Sequence, residues 1–552
     1  MLRRIAKFFA WSIGLIILVI IGLIIYVRLV AVIDEPVPES LAVLNTEVIE
    51  ADTGLFKLNN NWFRQSETGL YELYVEGDAF ERGVANGRLT RELVHHQEVV
   101  FTDQIRRLVP SGFHLGVLKH FVGWFNRNLQ DNVIEEYQLE ILGVSYSASH
   151  EFDEIAPPYQ RILNYHAAHD IGHALQNMSL VGCTAFATWG NESEDSTLII
   201  GRNFDFYVGD DFARDKLIAF YNPSSGHKFM MVTFGGMTGV LSGMNDQGMT
   251  VTINAAKSDV PSASATPVTL VTREILQYAS TIAEAYEIVA KRKMFVSESF
   301  LIGSGKEGKA VLIEKSPEVV DLVEANGNAI MSTNHFLGEQ LGETQLNQIH
   351  VKTSASSYRF QRLKELLSRS SKNSVQRTAS ILRDQKGIND KDIGLGNEKA
   401  INQLVAHHAV IFQPELKRMW ISTAPWQLGE FICYDMEKVF GYEATTNEEL
   451  YERELTIPAD SFLLTPAYND YVKFSKYRFP FNPQKDLHPD SVVKWNPNSY
   501  HAYMLAADYY FDRKNWTEAI PFYERGLTKE VATMQERYHM EKNLEKCKEH
   551  IK

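Results

Sequence analysis

The chain has 552 residues, 45 % of them hydrophobic and 22 % charged, which are ordinary globular proportions and exclude a wholly disordered chain or a fibre. The net charge of −14 comes from 55 basic and 69 acidic residues, a balance that argues against nucleic acid as a partner. Three cysteines, Cys183, Cys433 and Cys547, are too few for a disulfide-built scaffold or a four-cysteine zinc site. A bridge between Cys433 and Cys547 is allowed but nothing requires it.

Phe8 to Val27 is a run of 20 positions without a charge. At ~1.5 Å rise per residue it spans ~30 Å, the thickness of a bilayer's hydrocarbon. Arg3, Arg4 and Lys7 precede it, so the positive-inside rule puts the N-terminus in the cytoplasm and the body outside. A cleaved signal peptide is the alternative, but it calls for a shorter apolar stretch and a small-residue cleavage site. Tyr26, Val27, Arg28 and Leu29 stand there instead. The acidic, proline-bearing DEPVPES (34–40) reads as a linker leaving the membrane.

LYELYVEG (70–77) alternates like a strand, and DAFERGVANGRLTRELV then reads as a helix whose Gly83 and Gly87 serve close packing. Helical patterning continues to about Gln176. From Val181 the signal turns to strands. TAFATWG and STLIIGRNFDF flank the turn-rich NESED (191–195) as a hairpin does. KFMMVTF, TGVLSGMNDQG and MTVTINAA follow, then a helical stretch over 268–292. SFLIGSG, KAVLIEKS and VVDLVEANGNAIMSTNHF are strand-like again, SSYRFQRLKELLSR is helical, and RMWISTAP and GEFICYDM are late strands. Blocks of strands and blocks of helices predict a layered α+β fold. Near the C-terminus, Tyr503, Ala507, Tyr510, Ala519, Tyr523 and Gly526 follow the large-small-large pattern of one tetratricopeptide-like (TPR-like) repeat. A single repeat cannot bury its own face, so it is expected to dock on the body or on a protein partner.

The chemistry concentrates in GCTAFATWGNESEDSTLIIGRNFDF (182–206). If its two strands pair, Arg202 and Asp205 return to the end that carries Cys183. A thiol then has a cation, which stabilises thiolate, and a carboxylate beside it.

These residues resemble an N-terminal-nucleophile (Ntn) cysteine hydrolase of the penicillin acyltransferase type, with choloylglycine hydrolases and acid ceramidase as wider relatives. The resemblance spans roughly 69–435. It is carried by GDAFERGVANG (77–87), Gly182-Cys183-Thr184, Gly201-Arg202-Asn203-Phe204-Asp205, Gly243 to Gly248 ahead of Ile253-Asn254-Ala255, Ser332 to Phe336, and Ser357-Tyr358-Arg359-Phe360, all in the family's order. It implies a four-layer αββα sandwich, a precursor that cuts itself between Gly182 and Cys183, and hydrolysis or transfer at a linear amide through a Cys183 thioester. It further implies that Asp205 holds the new α-amine or the thiol and Arg202 polarises the thiol. Arg359 balances the buried carboxylate, Asn254 donates to the oxyanion, and Asn334 orients the amine or substrate. The separations from Cys183 to Arg202 and Asp205 are a few residues longer than in the bile-salt hydrolase branch, an excess the NESED turn can absorb.

The expected organisation is a cytoplasmic stub and transmembrane anchor over 1–33, a linker over 34–68, and a helical N-terminal segment or pro-chain over 69–182. The catalytic chain follows over 183–480 and a TPR-like helical tail over 481–552. The expected partners are a small-molecule N-acyl amide and the membrane, with no cofactor and no nucleic acid. The body is expected in the periplasm or another space outside the cytoplasm. A second reading comes from His166, His169, Asp170 and His173, which share one face of a helix at metal-ligand spacing. It makes the chain a metal-dependent hydrolase, although the glutamate base of an HExxH motif is missing. A third reading is a non-catalytic, anchored interaction protein.

Overall fold

The computed structural model describes residues 2–551 apart from 169, 171–181, 208, 258, 260, 262, 370–371 and 479–486. Helix α1 (Leu2–Val30) comes first. Its stretch Lys7–Val27 has a mean hydropathy of 2.9 and is not buried by the rest of the protein. Among the described residues it is the one helix long and apolar enough to cross a membrane, a character that a signal sequence near an N-terminus shares.

Four strands follow, β1 (Ile49–Asp52), β2 (Leu55–Leu58), β3 (Asn61–Gln65) and β4 (Tyr71–Gly77), then helices α2 (Ala79–Leu89), α3 (Arg91–Leu108), α4 (Gly112–Phe125), α5 (Glu135–Ser145) and α6 (Pro158–His166). The stretch 34–68, expected to be a linker, therefore holds three strands. Their turns leave runs of only four or five residues, too short for alternation to stand out. Leu55, Leu58 and Trp62 are nonetheless buried. The Trp62 ring stacks 5.9 Å from Tyr74, on the neighbouring strand. The two helical glycines do mark close packing: a Cβ on Gly83 would lie 2.0 Å from the Glu140 carbonyl oxygen, so α2 and α5 touch through their backbones.

The remaining strands are β5 (Thr184–Thr188), β6 (Ile199–Phe204), β7 (Leu217–Pro223), β8 (Phe229–Thr233), β9 (Ser242–Asn245) and β10 (Met249–Ala256). After helices α7 (Val268–Tyr278) and α8 (Ile282–Lys291) come β11 (Ser297–Ser304), β12 (Lys309–Lys315), β13 (Val320–Val323) and β14 (Ala329–Ser332). Helices α9 (Gln345–Thr353), α10 (Ser356–Ser368) and α11 (Val375–Leu382) precede β15 (His408–Gln413), β16 (Arg418–Ser422) and β17 (Phe431–Asp435). Strands β7 and β15 had not been read from the sequence. Every residue of β15 is buried, so it shows no hydrophobic alternation to read.

Two sheets result: an eleven-stranded one in the order β1-β2-β3-β4-β7-β8-β9-β10-β11-β12-β13, and a six-stranded one in the order β14-β5-β6-β15-β16-β17. The β4–β7 pairing is parallel. Successive side chains leave a strand on opposite faces. Ala185, Ala187 and Ile200 of the small sheet accordingly meet Ile218, Phe220, Met230 and Leu312 of the large one in a shared core. Phe186 and Ile199 face the other way, onto Leu363 of α10 and Leu382 of α11. The outer face of the large sheet, with Leu73, Met231 and Val251, is covered by Val84 of α2, Ile141 of α5 and Ile275 of α7. The layers thus run helix, sheet, sheet, helix.

The C-terminal helices are α12 (Met436–Phe440), α13 (Pro466–Arg478), α14 (Pro489–Trp495), α15 (Tyr500–Asp512), α16 (Trp516–Leu527) and α17 (Met534–Ile551). Tyr471 and Phe474 of α13 share a core with Val492 and Leu505 of the tail and with Leu404 and Leu428 of the body. The tail's packing therefore begins before residue 481 and is continuous with the body. Ala507, Ala519 and Tyr523 form a further cluster inside the tail with Met540 and Cys547. All three cysteines are free and buried. Cys433 lies among Ile411 and Trp420 in the body, so the allowed Cys433–Cys547 bridge is not formed.

Candidate active site

The β5–β6 hairpin builds the site. Its register pairs Thr184 with Asn203 and Ala185 with Arg202. The Gly182 N–H continues the pairing by donating to the Asp205 carbonyl at 2.9 Å. Cys183 and Arg202 therefore stand on the same face. The Arg202 guanidinium lies 3.8 Å from Cys183 Sγ. It donates to Ser242 Oγ at 2.7 Å, to the Leu241 carbonyl at 3.3 Å and to the Ile253 carbonyl, and its Cζ sits 4.4 Å from the centre of the Phe204 ring. Fully buried and held at several points, it is a fixed cation rather than a swinging one.

Cys183 is 1 % exposed. Burial pushes its thiol up to about 11, Arg202 pulls it down, and Asp205 and Glu298 push it up. The backbone of Asp205 also pulls the thiol down. In this uncut chain the thiol is protonated near neutral pH and needs a base. Asp205 is fully buried, and neither of its carboxylate oxygens has a hydrogen-bond partner among the described residues. Burial raises it to about 7, against the pull of Arg359 and then Arg202.

The other expected residues gather around this pair. Arg359, on α10, donates to Asn334 Oδ1 and to the Glu398 carbonyl at 2.8 Å. Asn334 follows β14 and gives its own amide to the Ala255 carbonyl at 2.9 Å. Asn254, on β10 next to the carbonyl that holds Arg202, donates to Ser332 Oγ at 3.2 Å, and its Oδ1 has no partner among the described residues.

Sequence reading missed two residues here. Gln403, in the loop before β15, donates through Nε2 to the Gly182 carbonyl at 2.6 Å. His408 sits behind Arg202, its Nε2 2.9 Å from Ser242 Oγ. The His407-His408 dipeptide opening a strand was a weak signal for the second; no local pattern marks Gln403.

An apolar pocket, partly open to solvent, adjoins the site through Phe204 and Leu241 and is lined also by Phe101, Ile162, Phe212 and Phe234. Phe204 is shared: its ring covers the Arg202 guanidinium on one side of this apolar space.

The histidine stripe can be followed at two of its four positions; His169 and His173 lie outside the described residues. Both nitrogens of His166 are occupied. Nδ1 lies 2.9 Å from the Ile162 carbonyl, and Nε2 accepts the Thr238 backbone N–H at 3.0 Å, which fixes the neutral Nδ1–H form. Burial agrees, holding the ring down at about 4. Asp170 accepts the Val268 N–H at 2.8 Å, at the start of α7. The His166 side chain thus ties α6 to the Thr238 loop, and Asp170 holds the start of α7. Glu398, His501 and Glu536, where the tail meets the body, bring ligand atoms within 4.8 Å of one another. Their carboxylates are already served by the Tyr500 hydroxyl, at 2.9 Å and 2.6 Å, and Glu398 by Arg478 at 3.3 Å.

Comparison with known proteins adds the following. The chain is similar to an uncharacterized protein of Archaeoglobus fulgidus, 24 % identical over 262 residues that cover 44 % of this chain and 43 % of that one. It is also similar to protein dcd1B of Dictyostelium discoideum, 22 % identical over 291 residues that cover 49 % and 55 %. It thus spans about half the length of the curated relatives it matches. Among solved structures it is similar to a Caenorhabditis elegans ortholog of N-acylethanolamine-hydrolyzing acid amidase, with TM-score 0.31 and 17 % identity over 42 % of this chain and 94 % of that one. It is also similar to a mutant conjugated bile acid hydrolase from Clostridium perfringens, with TM-score 0.33 and 14 % identity over 49 % and 96 %. Residues 191–424 match the sequence model of the acyl-coenzyme A:6-aminopenicillanic acid acyl-transferase family. That stretch begins in the β5–β6 turn just after Cys183 and contains Arg202, Asp205, Asn254, Asn334 and Arg359, so the match falls on the motifs that carry the resemblance.

Proposed function

We propose that this protein is a self-processing cysteine amidohydrolase or acyltransferase acting on a linear N-acyl amide. The observation that carries the reading is the buried constellation of Cys183, Arg202 and an Asp205 carboxylate without a hydrogen bond among the described residues. A stable fold gains nothing from an orphaned buried carboxylate; a site that must receive an amine does. Cleavage between Gly182 and Cys183 creates that amine. An α-amine has a pKa near ~8 and is partly unprotonated at neutral pH, so it serves as general base for its own thiol. Asp205 accepts a hydrogen bond from it, and Arg202 steadies the thiolate. The substrate acyl group then passes to Cys183 as a thioester, with Asn254 donating to the oxyanion and Asn334, held by Arg359, orienting the amine or the substrate. Water or a second amine completes the turnover.

The aromatic pocket that reaches the site at Phe204 and Leu241 suits an apolar acyl chain, whose burial contributes about 0.8 kcal/mol per methylene. In this reading α1 anchors the protein with its N-terminus in the cytoplasm and its body in the periplasm or another external space. Residues 69–182 are the pro-chain and 183–480 the catalytic chain. The helical tail is a TPR-like unit that offers a surface to a protein partner.

Intact mass of the purified protein, wild type beside Cys183→Ala, tests the reading. A split between Gly182 and Cys183 in the wild type alone supports it. A single uncut chain in both overturns it.

A further inference from the structure

Gly182 precedes the nucleophile, and both polar atoms of its backbone are held. Its N–H donates to Asp205. Its carbonyl oxygen, on the bond that self-cleavage would break, accepts Gln403 Nε2 at 2.6 Å. Gln403 is 4 % exposed. Its amide stands so close that a Cβ on Gly182 would lie 2.2 Å from Nε2. The glutamine and the glycine therefore form a matched pair: only a residue without a side chain lets the amide reach this carbonyl. The loop bearing Gln403 is fixed on both sides. Asn203, on β6, donates to the Ile401 carbonyl at 3.1 Å. Arg478, from α13, donates to the Gln403 carbonyl at 2.8 Å.

We infer that Gln403 is the oxyanion donor for cleavage of the Gly182–Cys183 bond, an inference that rests on the self-processing reading above. The Cys183 sulfur bonds to the Gly182 carbonyl carbon and the π pair moves onto the oxygen, where the Gln403 N–H meets it. The adduct collapses by breaking the carbon–nitrogen bond, and the departing amine takes the proton that the thiol gave up. Water then adds to the thioester, the carbon–sulfur bond breaks, Cys183 recovers its thiol proton, and Gly182 ends as a carboxylate. A preorganised donor at the position of developing charge acts on the transition state more than on the resting amide. Asn254 spends its amide on Ser332, so in the uncut chain the two asparagine and glutamine donors face different tasks.

The experiment follows the rate of chain splitting in the full-length protein after synthesis, by intact mass, for wild type, Gln403→Met, Gln403→Glu and Cys183→Ala. Gln403→Met keeps the length and removes the donor, and it is expected to cleave about 10²–10³-fold more slowly. Gln403→Glu donates only when protonated, so it is expected to cleave faster at pH 5 than at pH 8, the reverse of a wild type limited by thiol ionisation. A Gln403→Met chain that unfolds like Cys183→Ala yet cleaves within threefold of wild type overturns the inference. If Gln403→Met does not fold, the pH profile of Gln403→Glu decides, and a profile rising with pH like the wild type's overturns it too. Wild type that stays whole under every condition overturns the self-processing reading itself, and this inference with it.

Discussion

Two of the buried clusters of charge in the body of this protein are built on opposite plans. Glu140 is fully buried between Arg82 and Arg273 and accepts from both, at 2.9 Å and 3.1 Å from Oε2 and 3.1 Å from Oε1. Burial pushes its carboxyl up, but Arg273 and Arg82 outweigh it and hold the group below its ordinary range. Asp205 is just as buried and has arginines nearby, yet neither of its oxygens is hydrogen-bonded among the described residues and its carboxyl rises to about 7. Charge count does not separate the two sites; completion of hydrogen bonds does. The closed cluster fastens α2, α5 and α7 to one another. The open one keeps an acceptor in reserve beside a thiol.

The sharpest way to break the contrast is Cys183→Ala. It should abolish both chain splitting and amide turnover while leaving thermal unfolding within a degree or two of the uncut wild type, because a small buried side chain is exchanged for a smaller one. Glu140→Gln should do the converse. It leaves buried Arg273 without its counter-charge and Arg82 with only Glu136, at 2.8 Å, which costs about 3–5 kcal/mol and lowers Tm by roughly 10 °C in a calorimetric scan, without entering the chemistry of whatever protein stays folded.

Asp205→Asn, made on the Cys183→Ala background so that the chain stays whole, tests the open cluster by pH. The folded carboxyl near 7 lies above its ordinary value of 3.8. The folded state therefore binds the proton more tightly than the unfolded one, and this group's contribution to stability declines as pH rises from about 4 to about 7. The asparagine variant should unfold at the same temperature as its parent near pH 4. At pH 8 it should be the more stable, by up to about 4 kcal/mol. A variant less stable at both pH values would show that Asp205 is as closed as Glu140. The smallest expected effect is in the cavity. Phe101→Trp, filling space at its wall, should raise KM for long-chain N-acyl amides roughly tenfold and change KM for short-chain ones little, as a chain-length series would show.

Much of the site could be read from sequence because it is local. Cys183, Arg202 and Asp205 sit on one hairpin, where a five-residue polar turn and period-two alternation place them together before any long-range contact is known. Asn254, Asn334 and Arg359 needed the family's order of motifs, since only the meeting of two sheets and a helix brings them near the thiol. Gln403 was out of reach: it lies in an irregular loop, and its partner is a backbone carbonyl, which leaves no mark in sequence. The strands β1 to β3 were hidden for another reason. Their short runs between turns resemble a tether, and only the burial of residues such as Trp62 against later strands shows that they belong to the large sheet.

The parallel pairing of β4 with β7 has a consequence for what cutting can do. Seven residue pairs, from Tyr71 with Leu217 to Gly77 with Pro223, join a strand upstream of residue 182 to one downstream of it, in the interior of the large sheet. Buried Glu72 is also bonded across the same divide by the Tyr434 hydroxyl at 2.7 Å. A cut at Cys183 would yield two polypeptides woven through one sheet, not a shed propeptide. The N-terminal piece would remain as a permanent subunit, and α1 would stay with the body without a covalent bond to it. Unfolding would then release two strangers that must find each other by diffusion, so the mature protein would live on the slowness of its opening and not on its power to refold.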